Sequence, residues 1–403
     1  MRCAGRLLLL LGSCLLALQA ADVPGRLIVG HREGVDSGVL ARTFLVHRAI
    51  VRTQLAELGA SIIDVPEESS ASILDSLQRS GLFTYVERDH YAHTGGVPND
   101  PSYSSQWHLP RIQGPQAWSI STGSAAVVVA VIDSGVYRQH PDLTAKILPG
   151  WNFVKNNADT SDVLGHGTAV AGTLAAATNN GLGISAVNWA SMIMPLVAVD
   201  DADFAAYSNI AAAIQYAADH GVRVINVSLG GNGSSVLLQS AVDYAWARGS
   251  VVFASAMNDG SDTPNYPAAC KHAVAVSATD TADHLASYSN FGDWIALSAP
   301  GSDILSTMNG GGYGYWFGTS FASPIAAGVA ALMLAVNPGL SATDLVNLIE
   351  QNADDLGTPG RDDAFGWGRV NAYRAVQAAQ ALAAPPPPPI HRNPHPEPAH
   401  RPR

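Results

Sequence analysis

Two kinds of apolar pattern divide the chain. Up to about residue 93, short apolar runs alternate with stretches in which apolar residues recur every three or four positions. A small sheet with helices on one face buries such a pattern most simply. We therefore predict an α+β unit over residues 25–93, with strands at 26–29, 61–66 and 83–87 and helices at about 39–58 and 72–80. The first of these helices has apolar residues at Leu45, Ala49, Leu55 and Leu58.

From Trp107 onward, short β-branched strands alternate with helices. Fully apolar strands separated by helices are typical of an α/β domain with a mainly parallel sheet that is covered on both faces. In such sheets ligands bind at the carboxyl ends of the strands. The predicted strands include 126–132, 223–227, 251–254 and 273–276, and the predicted helices include 209–220 and 237–248.

The N-terminus has the pattern of a secretory signal peptide. Arg2 and Arg6 precede an apolar run over 7–18, and small residues follow, so we predict a signal segment at 1–20 with cleavage after Ala20. A rival interpretation is a lipoprotein signal, because residues 11–14 read Leu-Gly-Ser-Cys, which would anchor the protein through Cys14. The apolar run before Cys14 is short and continues beyond it, which favours secretion.

The other end of the chain is rich in proline. Residues 383–403 include five consecutive prolines at 385–389, and such a tail cannot bury a core. We predict a disordered or polyproline II segment, which serves as a linker, as a contact for another surface or simply as a solvated tail.

Composition narrows the function. A formal net charge of -11 disfavours a nucleic-acid partner. Cys3 and Cys14 fall in the predicted signal segment, so Cys270 remains alone and no intrachain disulfide is expected. No stretch beyond the N-terminus looks long and apolar enough to span a bilayer.

Four polar residues lie where strands end or helices begin. Asp133 ends an apolar strand, His166 stands between two glycines before a small-residue helix, Asn258 follows another strand, and Ser320 precedes a helix-like run over 325–335. Each alone is compatible with a cap or turn residue. Together they supply a nucleophile, its base, the residue that orients the base, and an amide that stabilises an oxyanion.

Three of these motifs resemble those of the subtilisin-like serine peptidases, and more closely those of the thermitase group. They are Asp133-Ser134-Gly135, Gly165-His166-Gly167-Thr168 and Gly318-Thr319-Ser320-Phe321-Ala322-Ser323-Pro324. The resemblance covers about residues 99–380, and we expect a peptidase domain at 99–382. It implies that Ser320 is the nucleophile, His166 the general base and Asp133 its orienting partner. The Asn258 side chain and the Ser320 N–H would then form the oxyanion hole.

The resemblance also implies a substrate site. An extended peptide would pair between residues 228–231 and the segment near 204–206. The primary specificity pocket would be formed by Ser228, Leu229, Gly230, Ser255, Ala256 and Asn265, with Asn265 near the floor. The chain departs from the family pattern at four positions, namely Ala169, Met257, Phe321 and Ile325. Among these, Met257 replaces a glycine directly before the oxyanion asparagine, so it bears on specificity.

A structural calcium is a further implication of the resemblance. The matching side chains are Asp100, Asp142 and Asn180, and the carbonyls of Ala177, Leu182 and Ile184 would complete the shell. Hard oxygen ligands of these kinds are what calcium prefers. A second family site, in the loop 151–162, has lost acidic positions and is not predicted.

The resemblance makes residues 25–93 an inhibitory propeptide of ferredoxin-like fold. It would assist folding and block the active site with its C-terminal residues 91–93. Self-cleavage is expected between His93 and Asn99, in a polar junction rich in Gly and Pro. We expect the mature enzyme to be a monomer that acts on proteins or peptides.

Two other functions stay open at this point. In one, Met257 spoils the site and the protein only binds peptides. In the other, the chain is a serine hydrolase that does not cleave peptides, although it lacks the G-x-S-x-G elbow of α/β-hydrolases. Labelling by an organophosphate separates the binding protein from the enzymes, and casein digestion separates the two enzymes.

Overall fold

A computed structural model describes residues 22–32, 34–90 and 97–383. The chain divides between residues 94 and 95 into two compact units. The predicted signal segment with Cys14, residues 91–96 of the junction and blocking segment, and the Pro-rich tail beyond residue 383 lie outside the described residues.

The N-terminal unit is a four-stranded antiparallel sheet with two helices. Its spatial order is β2-β3-β1-β4, and the succession β-α-β-β-α-β is the connectivity of ferredoxin-like units. Leu27, Ile63 and Leu77 are fully buried in its core. Its elements are β1 Asp22–His31, α1 Ser37–Val46, β2 Ile50–Leu55, β3 Ala60–Asp64, α2 Ser70–Arg79 and β4 Phe83–His90.

The predicted helix over 39–58 is wrong in its second half. Helix α1 ends at Val46, and the chain turns through Arg48, whose φ is +52°, into strand β2. Strand β2 pairs with β3 at the edge of the sheet and is exposed along its whole length. Leu45 and Leu58, which the helix prediction placed on a buried face, are 78% and 72% exposed. The β-branched run Ile-Val-Arg-Thr at 50–53 therefore prevailed over the apparent helical spacing.

The second unit contains one large parallel sheet and a separate hairpin. Its strands are β5 Val128–Asp133, β6 Trp151–Asn152, β7 Met192–Val197, β8 Val224–Val227, β9 Val251–Ser255, β10 Ala273–Thr279, β11 Leu297–Pro300, β12 Ile304–Thr307 and β13 Tyr313–Trp316. Its helices are α3 His108–Arg111, α4 Gly114–Trp118, α5 His166–Ala175, α6 Tyr207–Asp219, α7 Val236–Ala247, α8 Thr319–Val336, α9 Ala342–Gln351 and α10 Ala372–Ala383.

The sheet is ordered β11-β10-β9-β8-β5-β7-β6, and each neighbouring pair is parallel. Helices α6 and α7 cover one face, while α5, α8 and α10 pack into the core on the other face. Such double coverage explains the continuous apolar strands, because both faces of each strand are buried. The α/β fold with a mainly parallel sheet is therefore as predicted.

Helix α8 carries the serine motif through the centre of the unit. Among the described residues it alone is long and apolar enough to cross a membrane by length and composition, contrary to the prediction, but 89% of it is buried inside the protein. It also begins earlier than expected, at Thr319, so that Ser320 lies in its first turn. Core burial accounts for its uniform hydrophobicity.

Candidate active site

Asp133 and His166 form a close pair at the carboxyl end of the central strand. Asp133 is the last residue of β5 and is 1% exposed, and His166 is the first residue of α5. The His166 Nδ1 lies 2.8 Å from Asp133 Oδ1 and 3.0 Å from Oδ2. Because Nδ1 makes both contacts, the other ring nitrogen, Nε2, is available to accept a proton on the side of the imidazole away from Asp133.

The close approach of α5 to β5 depends on Gly167. A Cβ at this position would lie 2.2 Å from the Gly135 carbonyl oxygen, which is shorter than any tolerated contact. Only glycine lets the helix start reach the strand end. The flanking glycines of the histidine motif thus place the imidazole within bonding distance of Asp133.

Asp162, which the sequence analysis did not identify as a site residue, holds this helix start. Its Oδ1 accepts hydrogen bonds from the N–H groups of Leu164 and Gly165, and its Oδ2 accepts one from the N–H of Thr168. The Ser134 hydroxyl donates to Asp162 Oδ1 over 2.9 Å. An aspartate placed three residues before a glycine that precedes a helix is a capping signal, and it could have been read as one.

Ser320 lies at the mouth of α8, where backbone N–H groups lack intrahelical partners. The helix cap is Gly318, whose φ of +131° is accessible to glycine. The Ser320 hydroxyl donates to the Ser228 carbonyl over 3.2 Å. That distance is long for an O–H···O bond, so little energy opposes rotation of the hydroxyl toward another acceptor.

A proline inside α8 shapes the same region. Pro324 has no N–H to donate to the Ser320 carbonyl four residues earlier. The Ser228 hydroxyl fills this role and donates to that carbonyl over 2.9 Å. Ser228 is in turn bonded to Asn226, which accepts from Ser323. This buried chain of hydrogen bonds ties the nucleophile motif to the segment that follows β8.

Asn258 is anchored through its carbonyl oxygen. Its Oδ1 accepts hydrogen bonds from the Thr319 N–H (2.9 Å) and the Thr319 hydroxyl (3.0 Å). Because both bonds use the oxygen, the Nδ2 group is free to donate elsewhere. A Cβ built on Gly318 would lie 3.3 Å from Asn258 Nδ2 and 3.7 Å from the Ser320 backbone nitrogen, so both donors lie near one point at the start of α8. Two donors that converge in this way are what an oxyanion hole requires.

The three predicted triad residues open onto one cleft of about 600 Å³, whereas Asn258 is not among the described residues that line it. Asp133, His166 and Ser320 line it, as do Ser228, Leu229, Gly230, Phe204 and Ala205 from the two segments predicted to hold substrate. The other predicted pocket residues are not in the lining. Ser255, Ala256 and Asn265 are at most 3% exposed, and Met257 lines the cleft in their place.

The charges around His166 favour its protonated form. Burial lowers the pKa of His166, but the charge of Asp133 and its hydrogen bond raise it, and the charges of Asp162 and Asp203 add to this effect. The net pKa lies above the ordinary value of about 6.5. A base with a raised pKa is a better proton acceptor once the pH is high enough to deprotonate it.

A second polar cluster contains the side chains predicted to bind calcium. Asp100 and Asp142 are 4% and 0% exposed. The N–H groups of Asn179 and Asn180 donate to Asp100, and the Asn180 Nδ2 donates to Asp142 Oδ1 over 2.9 Å. The Tyr313 hydroxyl donates to Asp142 Oδ2 over 2.9 Å. Burial and then the bond to Asp142 raise the pKa of Tyr313.

The chemistry of this donor set fits a hard cation. In the described part of the chain, the carbonyl oxygens of Ala177, Leu182 and Ile184 accept no hydrogen bond, although Ile184 is fully buried. Neither Asp100 nor Asp142 forms an ion pair with a described basic residue. Among the residues that the structure describes, no group of three or more His, Cys, Asp or Glu side chains is arranged to hold a metal ion. A cation here would therefore rely on two carboxylates, an amide and carbonyls.

Comparison with known proteins now assigns the family. The Subtilase family profile matches residues 124–368. The chain is 38% identical to a thermophilic serine proteinase from a Bacillus species over 370 residues, which cover 89% of this chain and 88% of the relative. It is 44% identical to thermitase from Thermoactinomyces vulgaris over 282 residues, which cover 70% of this chain and 99% of thermitase.

The solved structures agree. A protease from Pseudoalteromonas arctica is 34% identical with a TM-score of 0.66, covering 70% of this chain and 100% of that one. The chain belongs to the subtilase family. It is a serine endopeptidase that acts on proteins or peptides, as the motifs predicted. The binding-protein and non-peptidase alternatives are thereby set aside.

Proposed function

We propose that Ser320, His166 and Asp133 cleave the peptide bond through an acyl-enzyme. The observation that carries this assignment is the 2.8 Å contact between His166 and Asp133, in a cleft that Ser320 also lines. His166 Nε2 takes the hydroxyl proton as Ser320 Oγ attacks the scissile carbonyl carbon. Asp133 keeps the other ring proton on Nδ1 and stabilises the imidazolium that forms.

The same groups complete the reaction. The negative oxygen of the tetrahedral intermediate accepts hydrogen bonds from Asn258 Nδ2 and the Ser320 N–H. His166 then gives its proton to the leaving amine. In the second half of the reaction His166 takes a proton from a water molecule that attacks the acyl carbonyl, and it returns this proton to Ser320 Oγ as the acyl group leaves as a carboxylic acid. The Asn258 contribution is expected to be about 2.7–4 kcal/mol, the size typical of an oxyanion-hole donor.

Calcium is proposed as a structural ion at the second polar cluster. Asp100, Asp142 and Asn180 would hold it with the carbonyls of Ala177, Leu182 and Ile184. Bound there, the ion would neutralise two buried carboxylates, whose charge is costly without a partner. It would also link the start of the peptidase unit to the loop after α5. We assign it no part in the chemical steps.

Secretion and synthesis as a proenzyme are proposed for the whole chain. The signal-like residues 1–20 support secretion, whereas a lipid anchor at Cys14 is the rival. The alignment with the thermophilic serine proteinase covers 89% of this chain, which is more than residues 99–403 can supply, so it extends into the unit 25–93. Thermitase instead aligns over 282 residues, 99% of its length, which matches the predicted mature domain 99–382. This difference supports removal of residues 25–93 as an inhibitory propeptide that the enzyme itself cleaves, leaving a monomer.

Intact-mass and N-terminal analysis of the purified protein test this proposal. Wild type should lose the residues before the 93–99 junction, and Ser320→Ala should keep them. Only wild type should react with a fluorophosphonate label. A matched control is Ser240→Ala, an exposed serine on α7 that should process and label as wild type does.

Two results would overturn parts of the proposal. If Ser320→Ala matures by itself, the nucleophile is assigned wrongly. If wild type digests casein while it retains residues 25–93, the propeptide role fails although the active site stands.

A further inference from the structure

Met257 stands directly before Asn258 in a backbone conformation that favours glycine. Its φ is +74°, in the left-handed region that such side chains rarely adopt. The surrounding turn is pinned, because the Asn290 N–H donates to the Met257 carbonyl (3.0 Å) and Asn290 Oδ1 accepts from the Asp259 N–H (2.8 Å). The hydrogen-bonded backbone of this turn therefore fixes the direction of the Met257 Cα–Cβ bond.

The Met257 thioether lies between the two walls of the predicted specificity pocket. The Ser255 hydroxyl donates to Met257 Sδ over 3.8 Å, which places the sulfur against the wall that continues β9. A Cβ added to Gly230 would lie 3.5 Å from the same sulfur, which is ordinary van der Waals contact with the opposite wall. The sulfur thus occupies the gap into which a substrate side chain would enter.

The region behind Met257 is closed. Gly231 and Tyr266 exchange two backbone hydrogen bonds of 3.1 and 2.8 Å, which join the wall after β8 to the predicted floor. Asn265 at that floor is 3% exposed, and its Nδ2 donates to the Thr263 carbonyl. Among the described residues that line the cleft, Met257 is present and Asn265 is not.

We propose that Met257 fills the pocket for the substrate residue on the acyl side of the scissile bond, and so restricts cleavage to bonds that follow Gly, Ala or Ser. The inference rests on the active site proposed above. An aromatic side chain at this position would have to displace the sulfur into solvent, which exposes apolar surface. A methyl group needs no such displacement.

Hydrolysis of the peptides succinyl-Ala-Ala-Pro-Ala-p-nitroanilide and succinyl-Ala-Ala-Pro-Phe-p-nitroanilide tests the inference. Wild type should favour the Ala substrate in kcat/KM by about tenfold or more, a range typical of a few methylene groups in a pocket. Met257→Gly should raise the ratio of kcat/KM for the Phe substrate to that for the Ala substrate by at least that factor. Met257→Leu keeps the bulk and should keep the wild-type preference.

Asn156→Gly is the matched control, because Asn156 is exposed, has a φ of +49° and does not line the cleft. It should leave the substrate ratio unchanged. Equal cleavage of the two substrates by wild type, or an unchanged ratio in Met257→Gly, would overturn the inference. If Met257→Gly does not fold, Met257→Ala supplies the same comparison. Wild type that neither hydrolyses any substrate nor takes the fluorophosphonate label would overturn the active site itself, and the pocket with it.

Discussion

Two regions of the peptidase unit bury aspartates equally well but surround them differently. Asp133 is 1% exposed and pairs with His166, a side chain that can carry a positive charge. Asp100 and Asp142 are 4% and 0% exposed, yet within the described residues they accept hydrogen bonds from neutral N–H and O–H groups only. A buried carboxylate is costly unless hydrogen bonds and an opposite charge compensate it, and among the described residues only the first region holds a side chain that can carry that charge.

The difference separates chemistry from structure. Where the compensating group is a titratable imidazole, a proton can move during the reaction, and the pair can serve catalysis. Where the compensating charge must come from outside the protein, the aspartates are suited to bind a cation. Binding of that cation would raise the free energy of unfolding. Removing charge from the two regions should therefore have opposite signatures.

The largest expected effect comes from Asp133→Asn. An amide at this position no longer holds the ring proton on His166 Nδ1, so kcat should fall about 10⁴-fold, as is typical of serine peptidases. The folded protein should persist, because an amide fills the same space and keeps hydrogen bonds to Ser134. Kinetics with a peptide substrate and a thermal melt check both parts. A variant that unfolds without losing activity per folded molecule would contradict the assignment.

Removing calcium should give the reverse signature, a loss of stability without a change in the catalytic groups. The Ser320→Ala substitution prevents self-digestion, so the melts are made in that protein. EDTA should lower its Tm by about 10 °C, which is the change expected when the free calcium concentration before chelation is about 1,000-fold above the dissociation constant of the site. Asp142→Asn should abolish the response to calcium in the same melts.

Asp293→Asn is the control for that experiment, since Asp293 is exposed on the same unit. It should retain the full calcium response. A melt that is insensitive to both calcium and EDTA, with no calcium bound in a titration, would show that the buried pair is compensated in some other way.

Much of this arrangement was predictable because its signals are local. Fully apolar strands indicated the parallel sheet, and the motifs around Asp133, His166 and Ser320 stand at strand ends or helix starts, which such a sheet brings to one edge. Strand β2 was missed because it is an exposed edge strand, whose residues face no core and so give no burial pattern. Its β-branched composition was the better guide.

Other parts of the site depend on contacts that spacing does not encode. The bonds from Ser228 to the Ser320 carbonyl and from Ser323 to Asn226 connect residues that are 92 and 97 positions apart, and only the folded structure shows them. The positive φ of Met257 is also invisible in the sequence, although its replacement of a glycine was a signal. The replacement of glycine by Met257 predicted a changed pocket, but it did not predict that Ser255, Ala256 and Asn265 would be absent from the lining of the cleft.

A third carboxyl, that of Glu350, extends the comparison, because among the described residues only the charge of Arg361 acts on it and no hydrogen bond does. Burial raises the pKa of Glu350 in α9 to about 7, against a lowering effect of the Arg361 charge. The folded protein then holds this proton more tightly than the unfolded chain, whose glutamates titrate near 4.3. Stability is therefore lost as the pH rises from about 4.3 to 7, and the full cost applies above that range.

Glu350→Gln should remove this cost. At pH 8 the variant should be more stable by on the order of 1 kcal/mol, and at pH 4.5 the two proteins should melt alike. Melts of the Ser320→Ala protein with and without the substitution, at both pH values, make the comparison. A stabilisation that is equal at both pH values would point to packing rather than to the proton.

The smallest effect should come from the charges that surround the catalytic pair without touching it. The charge of Asp203 contributes to the raised pKa of His166, although Asp203 is exposed on the rim of the cleft. Since the base acts in its neutral form, activity rises as the pH passes through the His166 pKa. Asp203→Asn lowers that pKa, so the acid limb of the kcat/KM profile should move to lower pH.

Asp201→Asn provides the matched control, because Asp201 is also exposed, pairs with Lys155 and is not among the charges that raise the pKa of His166. Its profile should overlay that of wild type. The shift in Asp203→Asn should shrink in high salt, because exposed charges are screened. If neither variant shifts the profile, the imidazolium is stabilised by Asp133 and Asp162 alone, and the buried pair is insulated from the charge at the rim. If both variants shift it alike, the His166 pKa responds to the total charge of the rim and not to Asp203 in particular.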